Sequence, residues 1–102
     1  MPNVPASPAD DASVLRGELR LVNRQGLHAR PISQIVRLVA ASGAEVSITG
    51  PDGTVADASS AFSMMTLAAP QGAVLVVEVR GDGARDLLTS LSELVGGGFG
   101  ED

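Results

Sequence analysis

Two hydrophobic repeats alternate along this chain, and the first change from one to the other is abrupt. Leu15, Gly17, Leu19 and Leu21 share one parity, while Arg16, Glu18 and Arg20 take the other. A repeat of two sorts them onto the faces of a half-buried strand ending near Asn23. The turn-like run Asn23-Arg24-Gln25-Gly26 follows. Ile32, Ile35, Val36 and Val39 then recur at i, i+3, i+4 and i+7. That spacing predicts an amphipathic helix from Ala29 to about Ser42, stopped by Gly43. Pro31 falls in its first turn, where a missing N–H breaks no helical bond. His28 is thereby placed at or just before the helix start.

The same switching continues. Ala44, Val46 and Ile48 alternate with Glu45, Ser47 and Thr49, which predicts a second strand. Gly50-Pro51-Asp52-Gly53 signals a turn into a short third strand, Thr54 to Asp57. Ser59 to Leu67 fits a short helix or a strand; the serines at its front suit a helix cap and favour the helix. Pro70-Gln71-Gly72 is a turn. Ala73 to Arg80 is rich in β-branched residues and predicts the strongest strand. After Gly81-Asp82-Gly83, the residues Ala84, Leu87, Leu88, Leu91 and Leu94 or Val95 give a last amphipathic helix. The order βα, ββ, α, βα predicts an α+β fold, with helices covering one face of a sheet. Residues 1–13 have three Pro, little to bury and no period, and read as a disordered tail. Residues 14–95 form the expected domain, and 96–102 read as a flexible end.

Composition narrows what such a domain could do. A net charge of −5 opposes a phosphate-backbone partner, and two Phe without Trp or Tyr offer no base-stacking platform. The chain has no Cys and one His, so neither a thiolate nor a His-based metal site is expected. No run is apolar enough to span a bilayer, and the first residues lack a signal-peptide pattern, so a cytoplasmic location is expected.

That one His stands in unusual company. A helix N-terminus presents unpaired N–H groups and a partial positive charge, both of which attract anions. Arg30 adds a planar cation suited to phosphate oxygens. His28 adds a nucleophilic ring nitrogen. These features suit a phosphoryl group carried on His28, and equally an anion bound without covalent chemistry. Position alone does not separate the two.

Gly26-Leu27-His28-Ala29-Arg30-Pro31 resembles the active-site signature of the histidine-containing phosphocarrier (HPr) family of the phosphotransferase system. Ser59-Ser60-Ala61-Phe62-Ser63-Met64-Met65-Thr66-Leu67 resembles the family's second motif, a regulatory serine followed by a short helix. Pro70-Gln71-Gly72 stands where the family has a turn ending in Gly. The resemblance spans residues 15 to 95. It implies an open-faced β-sandwich: a four-stranded antiparallel sheet, order 1-4-2-3, with three helices on one face.

The resemblance also implies a mechanism. Enzyme I, charged from phosphoenolpyruvate, would pass a phosphoryl group to Nδ1 of His28. Arg30 would contact its oxygens, and the N–H groups of Ala29 and Arg30 would complete a cradle. An acceptor protein such as a sugar-specific Enzyme II A component would take the group on. No cofactor or metal is implied, and the chain would be a monomeric carrier rather than a stand-alone enzyme. Ser60 matches the regulatory serine that a kinase/phosphorylase modifies in some lineages; it could equally be a helix cap. Ser59 falls where many members have a basic residue, and Ser63 where many have Gly or Lys. Phe62, Met65 and Thr66 match partner-docking positions, with Met64 expected inward. Arg24 could add positive potential or be a solvated loop residue. Two alternatives are a nitrogen-branch or regulatory carrier, and a non-transferring binding module acting through Ser60. An RRM-like nucleic-acid binder of similar layout is opposed by the charge and the shortage of aromatics.

Overall fold

Valines and leucines on both parities of Val74–Arg80 suit a strand with neighbours on each side, and that is its place in the computed structural model, which describes residues 14–101. The elements are β1 (Val14–Arg20), α1 (Ala29–Ser42), β2 (Glu45–Thr49), β3 (Val55–Asp57), α2 (Ala61–Met64), β4 (Val74–Arg80) and α3 (Ala84–Gly96). All strand pairs are antiparallel, in the order β1-β4-β2-β3. Leu19 pairs with Leu75 across β1 and β4, and Ile48 with Val77 across β2 and β4. The expected order 1-4-2-3 and the three helices are therefore present. The expected tail, residues 1–13, lies outside the described residues.

The repeats decide what is buried. Leu75, Val77 and Val79 point inward from β4, with Leu19 from β1, Val46 and Ile48 from β2 and Ala56 from β3. Ile32, Ile35 and Val39 of α1 and Leu87, Leu91 and Val95 of α3 close over them. At Gly17, an added Cβ would sit 3.2 Å from Leu88 Cδ1, so a missing side chain lets α3 lie close on β1. Among the described residues no element covers the opposite face of the sheet, which carries the cross-strand Arg16–Glu78 ion pair at 2.7 Å. No helix among the described residues is long and apolar enough to cross a membrane.

Two boundaries differ from the sequence reading. β1 ends at Arg20 rather than near Asn23, because Asn23 turns inward and is completely buried. The flexible end expected from residue 96 is instead packed. α3 runs to Gly96, and a single 3₁₀-type turn, Gly98–Gly100, folds back on the molecule with Phe99 buried. Phe99 has φ 59°, a left-handed conformation, flanked by Gly98 at 68° and Gly100 at 75°. Burying the ring is worth about 2 kcal/mol, which offsets a left-handed cost of about 1–2 kcal/mol.

Candidate active site

The loop between β1 and α1 is built to hold its shape. The buried Asn23 Nδ2 donates to the Gly26 carbonyl at 2.7 Å, and the Gly26 N–H returns to the Asn23 carbonyl at 3.1 Å. Gly26 has φ 66°, and a Cβ there would lie 2.4 Å from the Ala69 carbonyl oxygen. Only glycine fits so close a backbone approach. The next residue completes the attachment, with the Leu27 N–H donating to that same carbonyl at 2.9 Å. The loop is thus fastened to the segment before β4.

His28 follows as the N-cap residue of α1, in extended backbone conformation, and its carbonyl accepts the Ile32 N–H at 3.0 Å. Its side chain does not cap the helix. Nε2 lies 2.9 Å from Glu101 Oε1 instead, with the imidazole about 31% exposed. Ala29 and Arg30 open the helix and are exposed; their N–H groups precede the first helical hydrogen bond. His28, Arg30, Arg24, Gln25 and Glu101 line a concavity of ≈ 270 Å³. The structure therefore brings His28 and Arg30 together and adds Arg24 beside them. A larger depression of ≈ 540 Å³ on the uncovered sheet face includes neither His28 nor Arg30.

Glu101 was not a candidate from the sequence. Its Oε1 also accepts from Asn23 Nδ2 at 2.9 Å. The hydrogen bond from His28, then that from Asn23, hold its carboxyl below the ordinary carboxylate value, and the charge of Arg30 adds to the effect. The available signal was Gly98-Phe99-Gly100, in which glycines flank an aromatic. That pattern supports a left-handed turn with a buried anchor as well as it supports a frayed end.

The second motif forms α2, which packs against α1. Ser60 is its N-cap, with Oγ accepting the Ser63 N–H at 3.1 Å. Ser63 Oγ accepts the Asp57 N–H at 2.9 Å, tying the helix to the end of β3. Ser59 Oγ donates to Asp57 Oδ1 at 2.7 Å. Met64 is fully buried, as expected. Phe62 is 86% and Met65 65% exposed, and Thr66 is also exposed. Among the described residues no cluster of His, Cys, Asp and Glu could hold a metal ion.

Comparison with known proteins agrees with this arrangement. The family described as PTS HPr component phosphorylation site matches residues 15–96. Phosphocarrier protein HPr of Streptomyces coelicolor is 38% identical over 77 residues, 76% of this chain and 83% of that protein. Phosphocarrier protein NPr of Escherichia coli is 31% identical over 84 residues, 82% of this chain and 93% of that protein. The crystal structure of an HPr from Thermoanaerobacter tengcongensis superposes with a TM-score of 0.80 at 26% identity, covering 86% of this chain and 98% of that one. The 1-4-2-3 sheet, the motif around His28 and a family match over most of the chain lead to one assignment: the chain belongs to the HPr family of phosphocarriers of the phosphotransferase system.

Proposed function

We propose that His28 accepts a phosphoryl group from phosphorylated Enzyme I and passes it to an acceptor protein such as a sugar-specific Enzyme II A component, in the cytoplasm. In the accepting step the Nδ1 lone pair of His28 attacks phosphorus. The new N–P bond forms as the donor's phosphoryl bond breaks, and the donor keeps that bond's electron pair. Arg30 balances the phosphoryl charge, and the N–H groups of Ala29 and Arg30 supply fixed donors. Catalysis then rests on positioning and charge. Phe62, Met65 and Thr66 form the docking surface for both partners, an exposed apolar patch suited to brief contact. The observation that carries this reading is the concavity that unites His28, Arg30 and the start of α1.

A nitrogen-branch acceptor is the second reading, supported by the likeness to NPr. The engagement of Ser60 as a helix cap supports a structural role for that residue, and phosphorylation there would be an added control.

Intact mass after incubation with phosphoenolpyruvate and Enzyme I tests the carrier. One added phosphoryl group is expected, lost in acid, absent from His28→Ala and reduced in Arg30→Ala. A folded protein that gains no mass, beside another carrier charged by the same Enzyme I, overturns the proposal. Supplying the charged protein to sugar-branch and nitrogen-branch acceptors then separates the two readings.

A further inference from the structure

We infer that Glu101 is a positioning residue for His28: it directs the ring proton to Nε2, leaving Nδ1 as the nucleophile, and it keeps that proton in place once Nδ1 carries a phosphoryl group. The inference rests on the carrier reading above. Its starting point is one carboxylate oxygen that accepts from Asn23 Nδ2 at 2.9 Å and lies 2.9 Å from His28 Nε2. An ionised carboxylate can only accept hydrogen bonds. Nε2 must therefore be the donor, and in a neutral imidazole the lone pair then lies on Nδ1.

The carboxylate is held where it acts. The Glu101 N–H donates to the Gly98 carbonyl at 3.0 Å, closing the left-handed turn. Phe99 anchors that turn in the core, and Asn23, itself fully buried, fixes the oxygen from the other side. A non-glycine residue in left-handed conformation is costly, and such strain often marks a constrained functional contact.

The consequence concerns the charged carrier. Attack by Nδ1 forms the N–P bond and leaves the ring cationic, with hydrogen on Nε2. The Glu101 carboxylate offsets that charge and retains the proton. A protonated ring is the better leaving group, so when an acceptor attacks phosphorus the N–P electron pair returns readily to Nδ1. Glu101 thus keeps the phosphoryl group transferable rather than stable. The other charged groups lining the site are Arg24, from the loop, and Arg30, from α1; both are cations that oppose ring protonation. Glu101 is the only anion there among the described residues.

The test compares the wild type, Glu101→Gln and Glu101→Ala. The lifetime of the phosphoryl group is followed by intact mass from about pH 5 to 9, and the imidazole tautomer by ¹⁵N NMR on the uncharged proteins. Both variants are expected to hold the phosphoryl group about three- to tenfold longer than the wild type near pH 7.5, the size of effect expected for losing a charge-assisted hydrogen bond. All three should converge toward the acid end of that range, where the bulk supply of protons makes the Glu101 contact redundant. The wild type and Glu101→Gln, which retains an acceptor oxygen, should show the Nε2–H tautomer; Glu101→Ala should add a detectable Nδ1–H form. Superimposable lifetimes across the pH range, or an Nδ1–H tautomer in the wild type, overturn the inference. If no protein, the wild type included, takes up phosphoryl groups, the carrier reading fails, while the tautomer measurement still decides whether Glu101 directs the ring.

Discussion

At the scale of single residues, the site depends on an atom that is not there. Gly26 brings the loop against Ala69 and Pro70, where a Cβ would come within 2.8 Å of two Pro70 backbone atoms as well as striking the Ala69 carbonyl. Backbone cannot yield as a flexible side chain can. The left-handed φ of 66° adds a second penalty for any other residue. Gly26→Ala is therefore expected to lose about 3 kcal/mol or more of stability in urea unfolding, by two mechanisms acting at one position. It should also lose phosphoryl uptake, because Leu27 and the start of α1 move with the loop. Asn23 shows a related dependence. Its Nδ2 serves both Gly26 and Glu101, so one buried amide links loop geometry to imidazole geometry.

Among the elements, α2 is the one least able to form alone. Its four residues fall far short of the length at which an isolated helix is stable in water. It persists because Ser60 caps it, Ser63 ties it to β3 and Met64 is buried beneath it. Ser60→Ala should cost about 1 kcal/mol in urea unfolding, the usual worth of a serine cap, while Ser60→Asp should restore most of it. A smaller loss for Ser60→Ala would mean that Ser63 and Met64 hold the helix unaided. The exposure of Phe62 and Met65 follows from the same geometry. Successive residues on one turn of helix point in different directions, so placing Met64 in the core leaves its neighbours outside.

At the scale of the whole molecule, three carboxylates among the described residues make stability depend on acid. His28 and Asn23 lower Glu101; the Thr54 N–H lowers Asp52, and the N–H and hydroxyl of Ser59 lower Asp57. A carboxyl group depressed in the folded state stabilises fully above its unfolded value and loses that contribution as pH falls through the folded value. The urea midpoint should therefore stay level with respect to these groups down to about pH 5 and decline between about pH 4 and 2. Replacing Glu101, Asp52 and Asp57 by their amides should flatten that decline, as read from unfolding curves across the series. At this scale the sheet provides the frame: both ends of the Glu101–His28 contact reach it through β1 and through α3, which packs on β1.

The local pattern of this chain was sufficient for its elements and for half of its site. Repeats of two and of 3.6 located β1, α1, β2 and α3, since burial of one face imposes that spacing wherever the element lies in the fold, and β-branched content located β4. Gly26 to Pro31 marked the proposed acceptor position because a helix start, a histidine and an arginine are neighbours in sequence as well as in space. Strand order lay beyond pattern alone, and came through resemblance, because pairing β1 with β4 joins residues as distant as Val14 and Arg80. Glu101 lay further out of reach. It stands 73 residues from His28, after glycines that suggest freedom when read locally. Only the packed core supplies a place for Phe99, and only that anchorage turns three permissive glycines into a fixed arm carrying a carboxylate to the imidazole.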